Sequence, residues 1–202
     1  MKLLALAFSA LLLIAAWYYQ TNHDTASPLS STLPQMDLDI LSMPPEDIDA
    51  AQRDAANAAL VAIDETELQG PVTTRPHYVS AIEWKILQGV AAEREDGDKE
   101  LTRLVNFLRF SKQLEWWQQN LASDNLDLHQ RVGKNLLDDI PHRVKQQDIA
   151  AADAQQLQVM LLEKLVADPQ QRRLMLQREA QRIGLTFEIR EASLSPPADS
   201  TH

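Results

Sequence analysis

The chain has 202 residues with a formal net charge of −10, and its composition of 45% hydrophobic and 24% charged residues excludes a wholly disordered or collagen-like protein. The negative charge disfavours nucleic-acid binding, and the absence of cysteine excludes disulfides, thiolate catalysis and cysteine-ligated metals. Few glycines and aromatics, with abundant alanine, leucine and glutamine, predict an all-α fold of one domain.

The first predicted element is a transmembrane helix. Residues 3–19 form an uncharged run behind Lys2, and the run ends in three aromatic residues. As a helix it would extend about 25 Å, close to the roughly 30 Å hydrocarbon layer, with the aromatic residues at the membrane interface. We predict an uncleaved signal anchor over residues 1–20, which makes the protein single-pass in the inner membrane with its C-terminal domain in the periplasm. A cleaved signal peptide is the alternative, because Ala15 and Ala16 are small.

A flexible linker is predicted next, over residues 21–44, because this segment contains Ser, Thr, Asp and Pro without a helical period. Acidic residues are concentrated here and just beyond. Residues 21–72 contain ten Asp or Glu and one arginine, whereas residues 73–192 contain eighteen acidic and seventeen basic residues. A helical domain is predicted over residues 45–192, followed by a disordered tail over residues 193–202.

Within this domain, apolar residues recur at helical spacing and predict a bundle of five to six helices. Pro44-Pro45 and the acids that follow favour a helix N-terminus, and the first helix is predicted to run to about Asp64. Gly70-Pro71 then breaks the chain. Arg75-Pro76 is predicted to begin a second helix that runs to about Glu95 and buries an apolar stripe.

The third helix, predicted over about residues 99–121, carries two apolar stripes on almost opposite sides. The first stripe contains Leu101, Leu104, Val105 and Leu108, and the second contains Phe107, Phe110, Leu114, Trp117 and Leu121. Such a helix is either central and covered by its neighbours, or it meets a partner. In the second case, an aromatic patch of Phe110, Trp116 and Trp117 would anchor the interface.

Three further helices are predicted in the C-terminal half of the chain. Ser123-Asp124 would cap the fourth, which contains Gly133 as a weak point and would end at Ile140-Pro141. The fifth is predicted over about residues 147–166. The sixth is predicted over residues 168–183, with an aspartate cap, a proline in its first turn and a glycine after its end.

The sixth helix is locally basic. It contains Arg172, Arg173, Arg178 and Arg182. These residues predict either a solvated face with local ion pairs or a docking face for an acidic segment or anionic headgroups. Residues 186–190 alternate like a strand that has no partner strand. They are expected to form an extended packed tail, or to add as a strand to another protein.

The sequence contains no motif that assigns catalysis. The glycines are too isolated for a phosphate-binding loop, no two histidines are four residues apart, and no Gly-x-Ser-x-Gly elbow occurs. Asp138, Asp139 and His142 fall within one turn, but Pro141 is expected to interrupt the helix between them. We therefore predict a protein that is not an enzyme, with no cofactor and no metal.

The organisation of the chain resembles the steric chaperones of secreted lipases and the accessory proteins of secreted phospholipases. It shares with them one anchor helix, a linker with proline and acidic residues, and an all-helical exported body. In lipase chaperones an Arg-x-x-Phe-Asp-Tyr motif is followed by Leu-Ser-Ala. The comparable residues in this sequence are Arg75, Tyr78, Ser80 and Ala81, and their arrangement departs from that motif. No functional residue is carried over from that family.

This resemblance implies a membrane-tethered accessory or chaperone protein that binds an exported partner, such as a secreted lipase or phospholipase, through helix faces. The candidate contacts are the aromatic patch and the four arginines of the sixth helix. The alternative is a structural envelope component that self-associates through the same stripes, as a homo-oligomer.

Overall fold

The computed structural model describes residues 44–122 and 125–185. In these two ranges six α-helices and no strand occur, which confirms the all-α prediction for them. The helices are α1 (Pro45–Val61), α2 (Ala81–Ala92), α3 (Gly97–Gln119), α4 (Leu126–Lys145), α5 (Ala151–Leu165) and α6 (Pro169–Arg182), with a short 3-10 turn at Ala62–Asp64 after α1.

Several predicted segments lie outside the described residues. They are the signal anchor over residues 1–20, the linker before Pro44, the cap at Ser123-Asp124, the extended segment 186–190 and the tail 193–202. Among the helices that the structure describes, none is both long and apolar enough to span a bilayer.

The second helix begins later than predicted. α2 starts at Ala81 rather than at Arg75-Pro76, and the residues before it form an irregular connection from α1. The Ser80 hydroxyl accepts a hydrogen bond from the Glu83 N–H at 3.3 Å, and the Glu83 carboxylate accepts one from the Ser80 N–H at 2.8 Å. This reciprocal capping box sets the start of α2. The earlier start is also disfavoured, because Arg75 precedes a proline and such a residue rarely adopts a helical conformation.

Glu83 also forms a buried ion pair that joins α2 to α3. Lys112 Nζ lies 2.7 Å from Glu83 Oε2 and donates a second hydrogen bond to the Tyr78 carbonyl at 2.9 Å. Both charged side chains are buried, and burial lowers the pKa of Lys112 despite the neighbouring carboxylate. In such a poorly solvated position, removing one charge leaves the other uncompensated.

Lys112→Met is expected to lower the free energy of unfolding by about 2 kcal/mol, because Glu83 stays buried without its cation. The double variant Lys112→Met/Glu83→Gln is expected to recover most of this loss, since glutamine keeps the capping box and carries no charge. Urea unfolding followed by tryptophan fluorescence measures both values. Strictly additive losses in the two single variants and the double variant would contradict a direct interaction.

α3 is the central helix, and neighbouring elements cover both of its apolar stripes, except for Leu121, which lies beyond the end of the helix and is 44% exposed. Leu104, Val105 and Leu108 pack with residues of α1, α2 and their connection in one hydrophobic cluster. Phe110 and Trp117 pack mainly with residues of α4, α5 and α6 in a second cluster. The described domain therefore has an N-terminal half, α1 and α2, and a C-terminal half, α4 to α6, which meet on α3.

The packing of α3 places two of the three residues of the predicted aromatic patch in the core. The exposed fraction is 2% for Phe110 and 0% for Trp117, so both rings lie in the core. Trp116 is half-buried and packs against the second hydrophobic cluster. The other alternative from the sequence, a central helix covered by its own neighbours, is the arrangement observed.

α4 continues past Pro141 to Lys145, although the sequence predicts an end at the proline. Its N-cap is Asn125, whose side-chain oxygen accepts a hydrogen bond from the Leu128 N–H at 3.1 Å. A proline inside a helix costs roughly 3 kcal/mol. Ile140 and Arg143, on either side of it, are both 0% exposed, and their tertiary contacts hold the last turn.

Gly133, predicted as a weak point of α4, lies where the Trp117 indole packs against that helix. A Cβ atom at this position would lie 2.8 Å from Trp117 Nε1 and 3.0 Å from Leu165 Cδ2. The indole N–H donates to the His129 carbonyl at 3.2 Å, and the indole stacks on the His129 ring with centroids 4.7 Å apart. The missing side chain at Gly133 thus lets the indole approach the helix backbone.

The limits of α5 and α6 follow local backbone signals. Gln147 adopts a left-handed conformation, with φ of 63°, just after α4, and α5 begins at Ala151 rather than at the predicted residue 147. The limits of α6 confirm the prediction. The Asp168 carboxylate accepts a hydrogen bond from the Gln171 N–H at 2.6 Å, and Gly184, with φ of 78°, follows the end of the helix.

A polar stripe on α3 holds the connection between α1 and α2 through its backbone. The Asn106 side chain accepts a hydrogen bond from the Leu68 N–H at 3.1 Å and donates one to the Leu68 carbonyl at 3.0 Å. The Thr102 hydroxyl lies 3.0 Å from the Gly70 carbonyl and 2.9 Å from the Asp98 carbonyl of α3, and its one proton is shared between them. These bonds satisfy main-chain groups that have no helix partner, and they fix Glu67 beside the C-terminal half of the domain.

Candidate functional site

Charged side chains from three parts of the fold meet in a buried cluster beside α3. The α1–α2 connection contributes one residue and α3 contributes two, while the end of α4 and the loop after it contribute the rest. We call this group the charge cluster: Glu67, Glu100, Arg103, Asp139, His142, Arg143 and Asp148.

Arg143 is the centre of the charge cluster and has an exposed fraction of 0%. Its Nη1 donates a hydrogen bond to Asp148 Oδ2 at 2.9 Å, and its Nη2 donates to Glu67 Oε1. Its Nε lies 3.6 Å from Asp139 Oδ1 and has no hydrogen-bond partner among the described residues. One guanidinium therefore faces three carboxylates.

Arg103 completes the charge cluster from α3. It forms a bidentate pair with Glu100, at 2.7 and 2.9 Å, and also donates to Asp148. The Asp148 carboxylate thus bridges the two arginines, while its side chain has no exposed surface. His142 lies at the exposed edge, with its Nδ1 3.5 Å from Glu67 Oε2.

The charge cluster contains more negative than positive charge. Its four carboxylates are paired with two guanidiniums, and the charges of Arg109 and Arg94 act on Asp139 and Glu100 from outside the cluster. Burial raises the pKa of Asp148 to about 6, and burial also raises the pKa of Asp139. The hydrogen bonds from Arg103 instead lower the pKa of Glu100. The cluster is therefore able to take up a proton in a mildly acidic medium.

A polar cleft of about 370 Å³ lies next to the charge cluster. Glu100 and Arg103 belong to both, and the other lining residues are Arg94, Asp96, Lys99, Gln146 and Gln147. Asp148 is not in a position to act on a substrate in this cleft, because its side chain is fully buried. The arrangement can bind and release a proton inside the protein.

The three residues that the sequence places near a possible metal have separate partners. Asp138 pairs with Arg182 of α6 at 3.3 Å, whereas Asp139 and His142 belong to the charge cluster. Within residues 44–122 and 125–185, no group of three His, Asp or Glu side chains is arranged to hold a metal ion.

Two of the four arginines predicted as a docking face are engaged inside the protein. Arg172 Nε donates to the Val166 carbonyl at 3.0 Å and so satisfies the end of α5. Arg182 pairs with Glu179 at 2.6 Å and with Asp138 at 3.3 Å. Arg172 and Arg182 therefore bond within the protein. This matches the first of the two predicted alternatives, local pairing, better than a docking face.

Arg173 and Arg178 differ from the other two arginines, because both are exposed and neither bonds to a residue in the described part of the chain. Leu174 lies next to Arg173 and is 68% exposed. We call these three residues the α6 surface. The sequence predicts its arginines but not its leucine, which stands out only once the buried side of α6 is known.

Comparison of the chain with protein-family models, curated proteins and solved structures gives no match. The resemblance to lipase accessory proteins therefore stays a prediction. The charge cluster and the α6 surface are the two features of the described domain from which a function can be derived.

Proposed function

We propose that the protein is a membrane-tethered accessory or chaperone protein that binds an exported partner, with the α6 surface at the centre of the contact. The observation that carries this proposal is the pair of exposed arginines, Arg173 and Arg178, which have no partner among the described residues and accompany an exposed leucine. The signal anchor predicted over residues 1–20 would hold the domain in the periplasm, within reach of an exported protein.

The geometry of α6 favours a partner with an apolar centre and acidic borders. At about 100° per residue, Leu174 lies on the side roughly opposite to the buried Glu179 and Ala180. Arg178 then lies about 40° away on one flank, and Arg173 about 100° away on the other. A groove or helix that offers an apolar pocket between Asp and Glu side chains complements this pattern.

Both kinds of contact would contribute to binding. Removing the exposed part of Leu174 from water contributes about 1 to 2 kcal/mol. The two guanidiniums can each receive a carboxylate in a bidentate pair, and no internal ion pair has to break first. A stable interface buries about 800 Å² on each partner, so the α6 surface is the centre of a larger contact.

A secreted lipase or phospholipase is the partner class that the resemblance supplies. An acidic contact surface on an exported protein is the chemistry that the α6 surface itself supports. Nucleic acid remains disfavoured, because the net charge of the chain is −10.

Crosslinking in cells tests the α6 surface in the full-length chain. A photoreactive residue in place of Leu174 is expected to capture an exported protein that carries an acidic surface. The charge reversal Arg173→Glu/Arg178→Glu is expected to reduce this capture roughly fivefold or more, because attraction becomes repulsion.

Two matched controls make the result specific. Lys134→Glu/Lys145→Glu changes the net charge equally at exposed positions of α4 and is expected to leave the capture unchanged. Val61 is 78% exposed at the end of α1, so a photoreactive residue there tests capture from another apolar surface position. Equal capture from positions 61 and 174, or capture that survives the reversal on α6, would contradict the proposal.

A self-associating structural component is the second candidate function. It is favoured by the exposed acids at the beginning of α1, Glu46 and Asp47, which complement the α6 surface of another copy. In the same crosslinking experiment, this candidate yields a dimer of the chain itself from position 174. Its mass in light scattering would also rise with concentration.

A further inference from the structure

We propose that the charge cluster is a pH-sensitive clasp, which holds the N-terminal half of the domain to the C-terminal half more firmly in a mildly acidic medium than at neutral pH. The inference does not depend on the α6 surface or on the partner that binds there. It rests on which elements the cluster joins and on the burial of its Asp139 and Asp148 carboxylates.

The charge cluster lies where the two halves of the domain meet. Glu67 comes from the connection that belongs to the N-terminal half, and it reaches Arg143 and His142 of α4. Arg103 of α3 reaches Asp148, which lies in the loop between α4 and α5. Separating the two halves would expose these buried carboxylates to water, so the cost of burying their charge affects how firmly the halves are joined.

Protonation removes charge that the cluster cannot compensate. The groups that face Asp148 and Asp139 are Glu100, Arg103 and Arg109 from α3, Glu67 from the connection, and His142 and Arg143 from α4. Asp139 is the least compensated carboxylate, because its nearest cation is Arg143 Nε at 3.6 Å and forms no hydrogen bond with it. Burial is the main cause of the raised pKa of both Asp139 and Asp148, so a proton on either one removes a charge that is costly to bury.

The sign of the pH effect follows from the direction of the shifts. Asp148 has a folded pKa of about 6 against an ordinary 3.8, so the folded protein binds a proton in this window that the unfolded chain does not bind. Stability therefore rises as the pH falls from above 6 towards 4. The pKa of Glu100 is lowered from 4.5, so its contribution is lost only below that pH. The two effects together place the firmest clasp at about pH 4.5.

Burial raises the pKa of both Asp139 and Asp148, so both contribute to the pH dependence. Asp139→Asn removes one surplus negative charge with little change of shape, so it is the informative substitution. Asp138→Asn is the matched control, since Asp138 is the neighbouring residue, has a side chain 77% exposed and lies outside the cluster.

The test is urea unfolding of the full-length chain in detergent micelles, followed by tryptophan fluorescence at pH 7.5 and 5.0. The folding equilibrium constant of the unaltered protein is expected to be about tenfold larger at pH 5.0. In Asp139→Asn this ratio is expected to fall, because Asp139 no longer takes up a proton, whereas Asp138→Asn keeps it.

A ratio near one or below one in the unaltered protein would overturn the proposal, whether or not the variants fold. The same holds if Asp138→Asn flattens the pH dependence as much as Asp139→Asn does. Amide hydrogen exchange adds a local measurement, after correction for the intrinsic effect of pH. Residues 65–70 are expected to be protected more strongly at pH 5.0, and unchanged protection there would contradict a clasp between the two halves.

Discussion

Arg143→Met is expected to lower the free energy of unfolding by about 3 to 5 kcal/mol at pH 7.5. Methionine fills much of the same space, so the loss comes from charge. Without the guanidinium, Glu67, Asp139 and Asp148 remain close together in a buried region and lose the cation between them. Urea unfolding followed by tryptophan fluorescence measures the change.

The matched control is Arg131→Met on the same helix. Arg131 pairs with Asp64 at 2.5 Å, but both side chains are well exposed, so this change is expected to cost less than about 1 kcal/mol. The loss in Arg143→Met is also expected to shrink at pH 5.0, where the cluster takes up protons. Similar losses in the two variants would show that burial does not strengthen the Arg143 pairs.

Trp117→Ala is expected to lower the free energy of unfolding by about 3 to 5 kcal/mol, because it leaves a large cavity between α3 and α4. The indole is 0% exposed, stacks on His129 and donates to its carbonyl. Circular dichroism at 222 nm during urea unfolding measures the loss without depending on the tryptophan that is removed.

The close approach between Trp117 and Gly133 gives this prediction a sharper form. Gly133→Ala is expected to cost about 1 to 3 kcal/mol in the unaltered protein, because the new Cβ would lie 2.8 Å from the indole nitrogen. In the Trp117→Ala background the same change is expected to be neutral or stabilising, since alanine favours a helix more than glycine does. A Gly133→Ala penalty that is equal in both backgrounds would contradict steric coupling.

Local chemistry accounts for the parts of the fold that the sequence predicts well. The limits of α6 depend on Asp168, Pro169 and Gly184, which act on the backbone within a few residues of themselves. The central position of α3 follows from its two opposed apolar stripes, because a helix that is apolar on two sides has to be covered twice.

The wrong limits arise where two signals compete. Arg75-Pro76 suggests the start of α2, yet Ser80 and Glu83 form the stronger capping signal, which is also readable in the sequence. Pro141 suggests the end of α4, yet the burial of Ile140 and Arg143 outweighs it. This second outcome depends on tertiary contacts, which helical periodicity does not contain.

The candidate sites show the same division. The four arginines of α6 are visible in the sequence, but only the structure separates Arg173 and Arg178 from the two that have internal partners. The charge cluster is not predictable from spacing, because Glu67 and Arg143 are 76 positions apart and Arg103 and Asp148 are 45 apart. Of the charge cluster, the spacing in the sequence singles out only Asp139 and His142. It does not single out Arg143, which lies at the centre of the cluster.

The hydrogen bonds from α3 to the α1–α2 connection affect which residues of the connection can change during evolution. Asn106 and Thr102 bond to main-chain atoms of Leu68 and Gly70, and every residue type offers the same carbonyl. The exposed side chains of Thr66 and Gln69 can therefore change during evolution. Asn106, which bonds to the main chain, is expected to be constrained. Related chains are expected to keep Asn106 and Thr102 of α3 and to vary in the exposed side chains of the connection.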